Sequence, residues 1–129
     1  MTPNKDEAQA AAGEPTVDFK QLLDASGENP NFLRDLAKLY FDQAGEIMPA
    51  LVAALEKRSA GEVDYLAHRL AGASLSCGMS AMVPPLRQLE TRGRKGDLTG
   101  ADEFMVQAAA NLEIVRAKVQ EYLRSGKTA

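Results

Sequence analysis

Residues Glu62 to Cys77 read EVDYLAHRLAGASLSC, and Gly78 follows. Val63, Leu66, Ala67, Leu70, Ser74 and Cys77 recur at intervals of three and four, the spacing of one face of an α-helix. Gly78 stands where a helix end favours a left-handed residue. This stretch reads as a helix, and its neighbours read the same way. Upstream, Asn31 is a candidate N-cap for a long helix. Its apolar positions are Phe32, Leu33, Leu36, Leu39, Tyr40 and Ile47. Pro49 falls inside that pattern and is expected to kink or restart the helix. Leu51, Val52 and Leu55 continue the apolar face, and the segment ends near Ser59-Ala60-Gly61. Before it, Val17 to Leu23 reads as a short helix with Asp18 near its start, stopped by Ser26 to Pro30.

Downstream, a helix is expected from about Ser80 to Arg92, with Pro84 and Pro85 in its first turns, where proline is tolerated. Leu86 and Leu89 supply its inner face. Gly93-Arg94-Lys95-Gly96-Asp97 reads as a charged turn. A last helix runs from about Gly100 to Leu123, with Phe104, Met105, Ala108, Leu112, Val115, Val119 and Tyr122 at helical spacing. No long segment alternates apolar and polar residues as a half-buried strand would, and no repeat is present. The expected fold is all-α: an antiparallel four-helix bundle with a short additional N-terminal helix. Residues 17–125 form the bundle. Residues 1–16, without apolar periodicity, are expected to be a disordered leader, and 126–129 a disordered tail.

Composition narrows the chemistry. Of 129 residues, 45% are apolar but only 5% aromatic, which favours helix over strand. The net charge of −3 argues against nucleic-acid binding driven by global charge. One cysteine, Cys77, and one histidine, His68, rule out a disulfide framework and a metal cage built on either residue type. The first sixteen residues lack the apolar segment of a signal peptide, and no run approaches the ~18 apolar residues of a membrane span. A soluble, cytoplasmic protein is expected.

His68 lies well off the apolar stripe, grouped on the helical wheel with Ala71, Gly72 and Leu75. Gly72 costs roughly 1 kcal/mol relative to alanine in mid-helix. Two readings stand on the residues alone. In one, His68 is a surface or boundary residue and Gly72 serves helix packing. In the other, Gly72 keeps the ground beside an exposed imidazole low, so that a partner can bring a phosphoryl group to one ring nitrogen.

The stretch Ala67-His68-Arg69-Leu70-Ala71-Gly72 resembles the signature of histidine phosphotransfer (HPt) domains, A-H-x-L-K-G. Gly78 and Leu86-x-x-Leu89-Glu90 fall where that family has its helix-ending glycine and following L-x-x-L-E helix. Phe32-Leu33 through Tyr40-Phe41, Pro49 and Leu51 to Leu55 resemble its first long helix. The resemblance runs from about Asp18 to Leu123. It implies that His68 is phosphorylated, that Glu90 orients its imidazole, that Arg94 faces the phosphoryl group, and that no cofactor takes part. The bland alternatives are that Glu90 is an exposed carboxylate pairing with Arg87 or Arg94, and that Arg87, Arg92, Arg94 and Lys95 are a solvated face. The family's lysine three residues after the histidine is Ala71 here, which removes a cation from beside the phosphoryl group; Arg94 and Lys95 are the expected substitutes.

The resemblance implies a phosphorelay carrier that takes a phosphoryl group from one receiver aspartate and gives it to another. Its partners are then receiver domains of response regulators and a hybrid sensor histidine kinase, with neither nucleic acid nor membrane involved, and the protein is expected to be a monomer. The alternative is an adaptor bundle that docks receivers or a kinase without transfer. The sequence contains no glycine-rich nucleotide-binding loop, so kinase activity of its own is not expected.

Overall fold

The first two helix starts are marked by capping side chains, and their boundaries follow from those caps. The computed structural model describes residues 16–125. Helix α1 spans Phe19–Ala25, α2 Pro30–Glu56 and α3 Ala60–Ser76; a 3-10 turn at Ser80–Met82 leads into α4, Val83–Lys95, and α5 is Ala101–Ser125. No strand occurs among the described residues. The Asp18 carboxylate accepts from the Gln21 N–H and caps α1. The cap of α2 is Asn29 rather than Asn31: its Oδ1 accepts from the Asn31 and Phe32 N–H groups at 3.0 and 3.2 Å. Pro30, with its fixed φ and no N–H to satisfy, takes the first helical position and moves the start two residues earlier.

Short connections make α2 to α5 run alternately up and down, and α2 packs on α3, α3 on α4, α4 on α5 and α5 on α2, closing the bundle. Of the two outcomes expected at Pro49, a kink or a restart, the restart does not occur: α2 continues through Pro49 as one element. Pro49 is exposed, so water can reach the Gly45 carbonyl that loses its bond. Buried Ile47, Met48, Leu51, Ala54 and Leu55 hold both halves of the helix to the core. Three residues assigned to the apolar face of α2 lie outside it: Phe32 is 52%, Leu39 65% and Val52 42% exposed.

Gly93 is not in a turn. The helix α4 runs on to Lys95 and ends at Gly96, whose φ of 74° supplies the left-handed cap. Gly93 is where α4 crosses α3 most closely, since a Cβ there would stand 2.6 Å from the Asp64 nitrogen and 2.7 Å from the Ala60 carbonyl oxygen. Gly78 ends α3 as expected, at φ 76°. It also abuts α1, its carbonyl accepting from the Asp18 N–H at 2.7 Å. The expected leader and tail lie outside the described residues apart from Thr16, whose carbonyl accepts from the Ala81 N–H.

A buried polar contact joins α3 to α2 on its inner side. The Ser74 hydroxyl donates to the Leu70 carbonyl at 2.7 Å, so the Tyr40 hydroxyl 2.7 Å away must donate to Ser74. Burial pushes the Tyr40 hydroxyl up to about 12, keeping it a donor. With Tyr40, Ser74, Val63, Ala67 and Leu70 inside, the opposite side of α3 faces outward.

Candidate functional site

His68 sits on that outward side with its side chain 64% exposed. Gly72, one turn on, leaves open space, with no atom within 4 Å of where its Cβ would be. Leu75, a further turn along, is 59% exposed. Ala71 does not belong to this outward group: it is fully buried. The reason lies in the helical angles. Ala71 lies about 60° around the helix from His68, on the same flank as Ala60, Asp64 and Ala67. That is the flank on which α4 rests through Gly93. The leucine-bearing side of α3 is only part of its buried surface, because α3 is covered on two sides.

The close crossing brings Glu90 to the imidazole. The His68 Nδ1 lies 2.6 Å from Glu90 Oε2. The Arg94 Nη2 donates to the same oxygen at 2.6 Å, and the Arg87 Nη1 donates to Oε1 at 2.6 Å. Arg94 also approaches Asp64 Oδ1 at 3.6 Å. Glu90 is buried, its side chain 6% exposed, which sets aside the reading of an exposed surface carboxylate. Pairing with Arg87 and Arg94 does occur, and occurs together with the bond to His68. Burial pushes the Glu90 carboxyl up, but hydrogen bonds from Arg87 and His68 and the charge of Arg87 outweigh it and hold the group below its ordinary value.

A carboxylate can only accept, so an ionised Glu90 receives a proton-bearing Nδ1. The second ring nitrogen, Nε2, then carries the lone pair, and no described residue bonds it. The arrangement is an exposed nucleophile whose tautomer is set from behind by a buried anion.

The remaining basic residues divide. Arg92 is turned away from His68: it donates to the Thr99 carbonyl and Gln88 and lies over the Phe104 ring. Arg69 lies 5.7 Å from the Tyr65 ring centroid, away from Glu90. Of the residues singled out from sequence, His68, Glu90 and Arg94 meet, and Gly72 borders them. Arg87, an i,i+3 neighbour of Glu90, was legible as its pairing partner but only in the reading that leaves Glu90 exposed and apart from His68. Two contributors, Asp64 and Gly93, act across the α3–α4 contact and have no local signal.

Comparisons with known proteins identify the family and agree with the fold. A family model described as the Hpt domain matches residues 35–120. The chain is 24% identical over 121 residues to histidine-containing phosphotransfer protein 4 of Arabidopsis thaliana, covering 92% of this chain and 94% of that protein. The solved structure of histidine-containing phosphotransfer protein B from Pseudomonas aeruginosa PAO1 superposes with a TM-score of 0.80 at 22% identity, over 86% of this chain and 96% of that one. That likeness is one of fold.

Proposed function

The chain belongs to the Hpt domain family, and from that premise we propose that His68 is the residue on which it carries the phosphoryl group of a phosphorelay. The observation that carries this reading is the pairing of an exposed imidazole with a buried carboxylate at 2.6 Å. In the transfer, Nε2 attacks the phosphorus of a receiver's aspartyl phosphate in line with the bond to the leaving oxygen. The N–P bond forms as the acyl P–O bond breaks, and the aspartate carboxylate departs with the electron pair. No proton moves, because Nδ1 already holds its own. The phosphorylated ring carries a positive charge, which the Glu90 carboxylate offsets. That charge also makes the ring a good leaving group when a second receiver aspartate attacks.

Arg94, 62% exposed and bonded to the same Glu90 oxygen as the imidazole, is the residue we take to meet the phosphoryl oxygens where the family has its lysine and this chain has Ala71. Gly72 leaves room for the receiver. Receiver domains are the partners that the family's role in phosphorelays supplies, and we take the upstream donor to be the receiver of a hybrid sensor histidine kinase. No helix among the described residues is long and apolar enough to cross a membrane. The reading is of a monomeric carrier working in the cytoplasm.

The test is incubation with phosphorylated receiver. Native protein should acquire an acid-labile, base-stable label, and His68→Gln should acquire none while melting within a few degrees of native, since the side chain is largely exposed. With no second histidine in the chain, label retained by the mutant would refute the assignment.

A further inference from the structure

The Glu90 carboxylate has two oxygens, and they are held differently. Oε2 is shared between the imidazole and Arg94, while Oε1 is held by Arg87 alone. Which way a carboxylate faces depends on the torsion about its terminal bond, a soft and roughly two-fold rotation. The guanidinium on Oε1 fixes that torsion, and with it the direction in which Oε2 meets the ring. We propose that Arg87 is a positioning residue for His68: by holding Glu90 Oε1 it keeps the proton of the imidazole on Nδ1 and the lone pair on Nε2.

The alternative states show why the role falls to Arg87. Without it, a carboxylate only 6% exposed is left with one oxygen unmet. With Oε1 released, the carboxylate is free to turn so that Arg94, already on Oε2, takes both oxygens bidentately and draws Oε2 from the ring. Otherwise the buried carboxyl picks up a proton and competes as a donor. In both states Nδ1–H loses its acceptor. The proton then settles on Nε2, the only other ring nitrogen, and removes the lone pair needed for attack. Arg94 has no matching role, because it draws on the oxygen that the ring uses and is also drawn toward Asp64.

This inference rests on the phosphotransfer reading for its consequence, but its primary test needs no phosphoryl donor. The chain contains one histidine, so two-bond 1H–15N correlation spectra of labelled protein report on a single ring. At a pH where the ring carries one proton, native protein should show Nδ1 protonated and Nε2 bare. Arg87→Ala should move a large part of the population to the Nε2–H form, and Arg87→Lys, which returns a cationic donor, should restore most of the native state. Arg94→Ala should leave the proton on Nδ1. Phosphoryl acceptance by Arg87→Ala should fall about tenfold, the lower end of what losing an outer partner of a functional histidine costs. An Arg87→Ala protein with the native tautomer overturns the proposal. So does a tautomer shift of equal size in Arg94→Ala, or one that Arg87→Lys fails to reverse while both Arg87 variants melt well below native. Because the ring is read without phosphate, a failure here is distinguishable from a failure of His68 to accept a phosphoryl group.

Discussion

Gly93→Ala is the substitution that most directly couples packing to chemistry. The added methyl would face only backbone: the Asp64 nitrogen at 2.6 Å, the Ala60 oxygen at 2.7 Å and the Asp64 Cα at 3.0 Å. Ordinary contact begins near 3.4 Å, so α4 must retreat from α3 by about 0.8 Å at this turn. Glu90 lies three residues earlier, on the same side of α4. Even half of that retreat stretches its 2.6 Å bond to His68 to about 3.0 Å, and all of it strains the bond toward the edge of useful geometry. Overpacking of this kind costs about 1–3 kcal/mol, and the better helix propensity of alanine offsets up to about 1 kcal/mol. The net loss is then about 1–2 kcal/mol, which in a domain of this size lowers the melting temperature by about 4–8 °C. Circular dichroism measures that shift. Phosphoryl acceptance from a phosphorylated receiver should fall by about tenfold or more, given what misplacing reacting groups by about 1 Å can cost. A variant that melts at the native temperature and accepts phosphate at the native rate would show that α4 is not held against α3 through Gly93.

The other substitutions sort by burial. Gly72→Gln should keep or raise the melting temperature, because a Cβ added there meets nothing within 4 Å and the position faces outward, yet it should slow transfer in both directions by about 100-fold; native rates would mean that receivers do not approach over Gly72. Ala71→Lys, which returns the cation that the family resemblance places beside the phosphoryl group, should destabilise by about 1–3 kcal/mol, since the lysine stem must leave a fully buried position; an unchanged melting temperature would contradict this. Glu90 has its folded pKa lowered below the ordinary value of 4.5, so it binds its proton more readily when unfolded. Its contribution to stability is complete above about pH 4.5 and is lost as the pH falls through the lowered value, and Glu90→Gln should flatten that part of the acid side of a stability–pH curve measured by urea unfolding.

The residues by themselves determine that this chain is a helical bundle and that His68 stands off its apolar face as the candidate reactive group. Helical period, Asp18, Pro30 and the left-handed glycines are local signals, read by a few neighbouring residues, and they act before any helix meets another. His68 and Gly72 were legible for the same reason: they fall opposite a stripe that one helix defines alone. The tertiary structure decided the rest. Ala71 is buried because α4 covers a second side of α3, and the angle of that approach is set by Gly93 against Ala60 and Asp64, thirty residues away in sequence. Phe32, Leu39 and Val52 have the right spacing for a core face but are left outside, because four helices have fewer inward positions than α2 has apolar residues. Within its own helix Glu90 is one more carboxylate, singled out only by the family resemblance, until the same crossing buries it and closes it on His68, Arg87 and Arg94 together. Burial makes those bonds strong and their loss costly, and burial is a property of the assembled helices that no single one of them possesses.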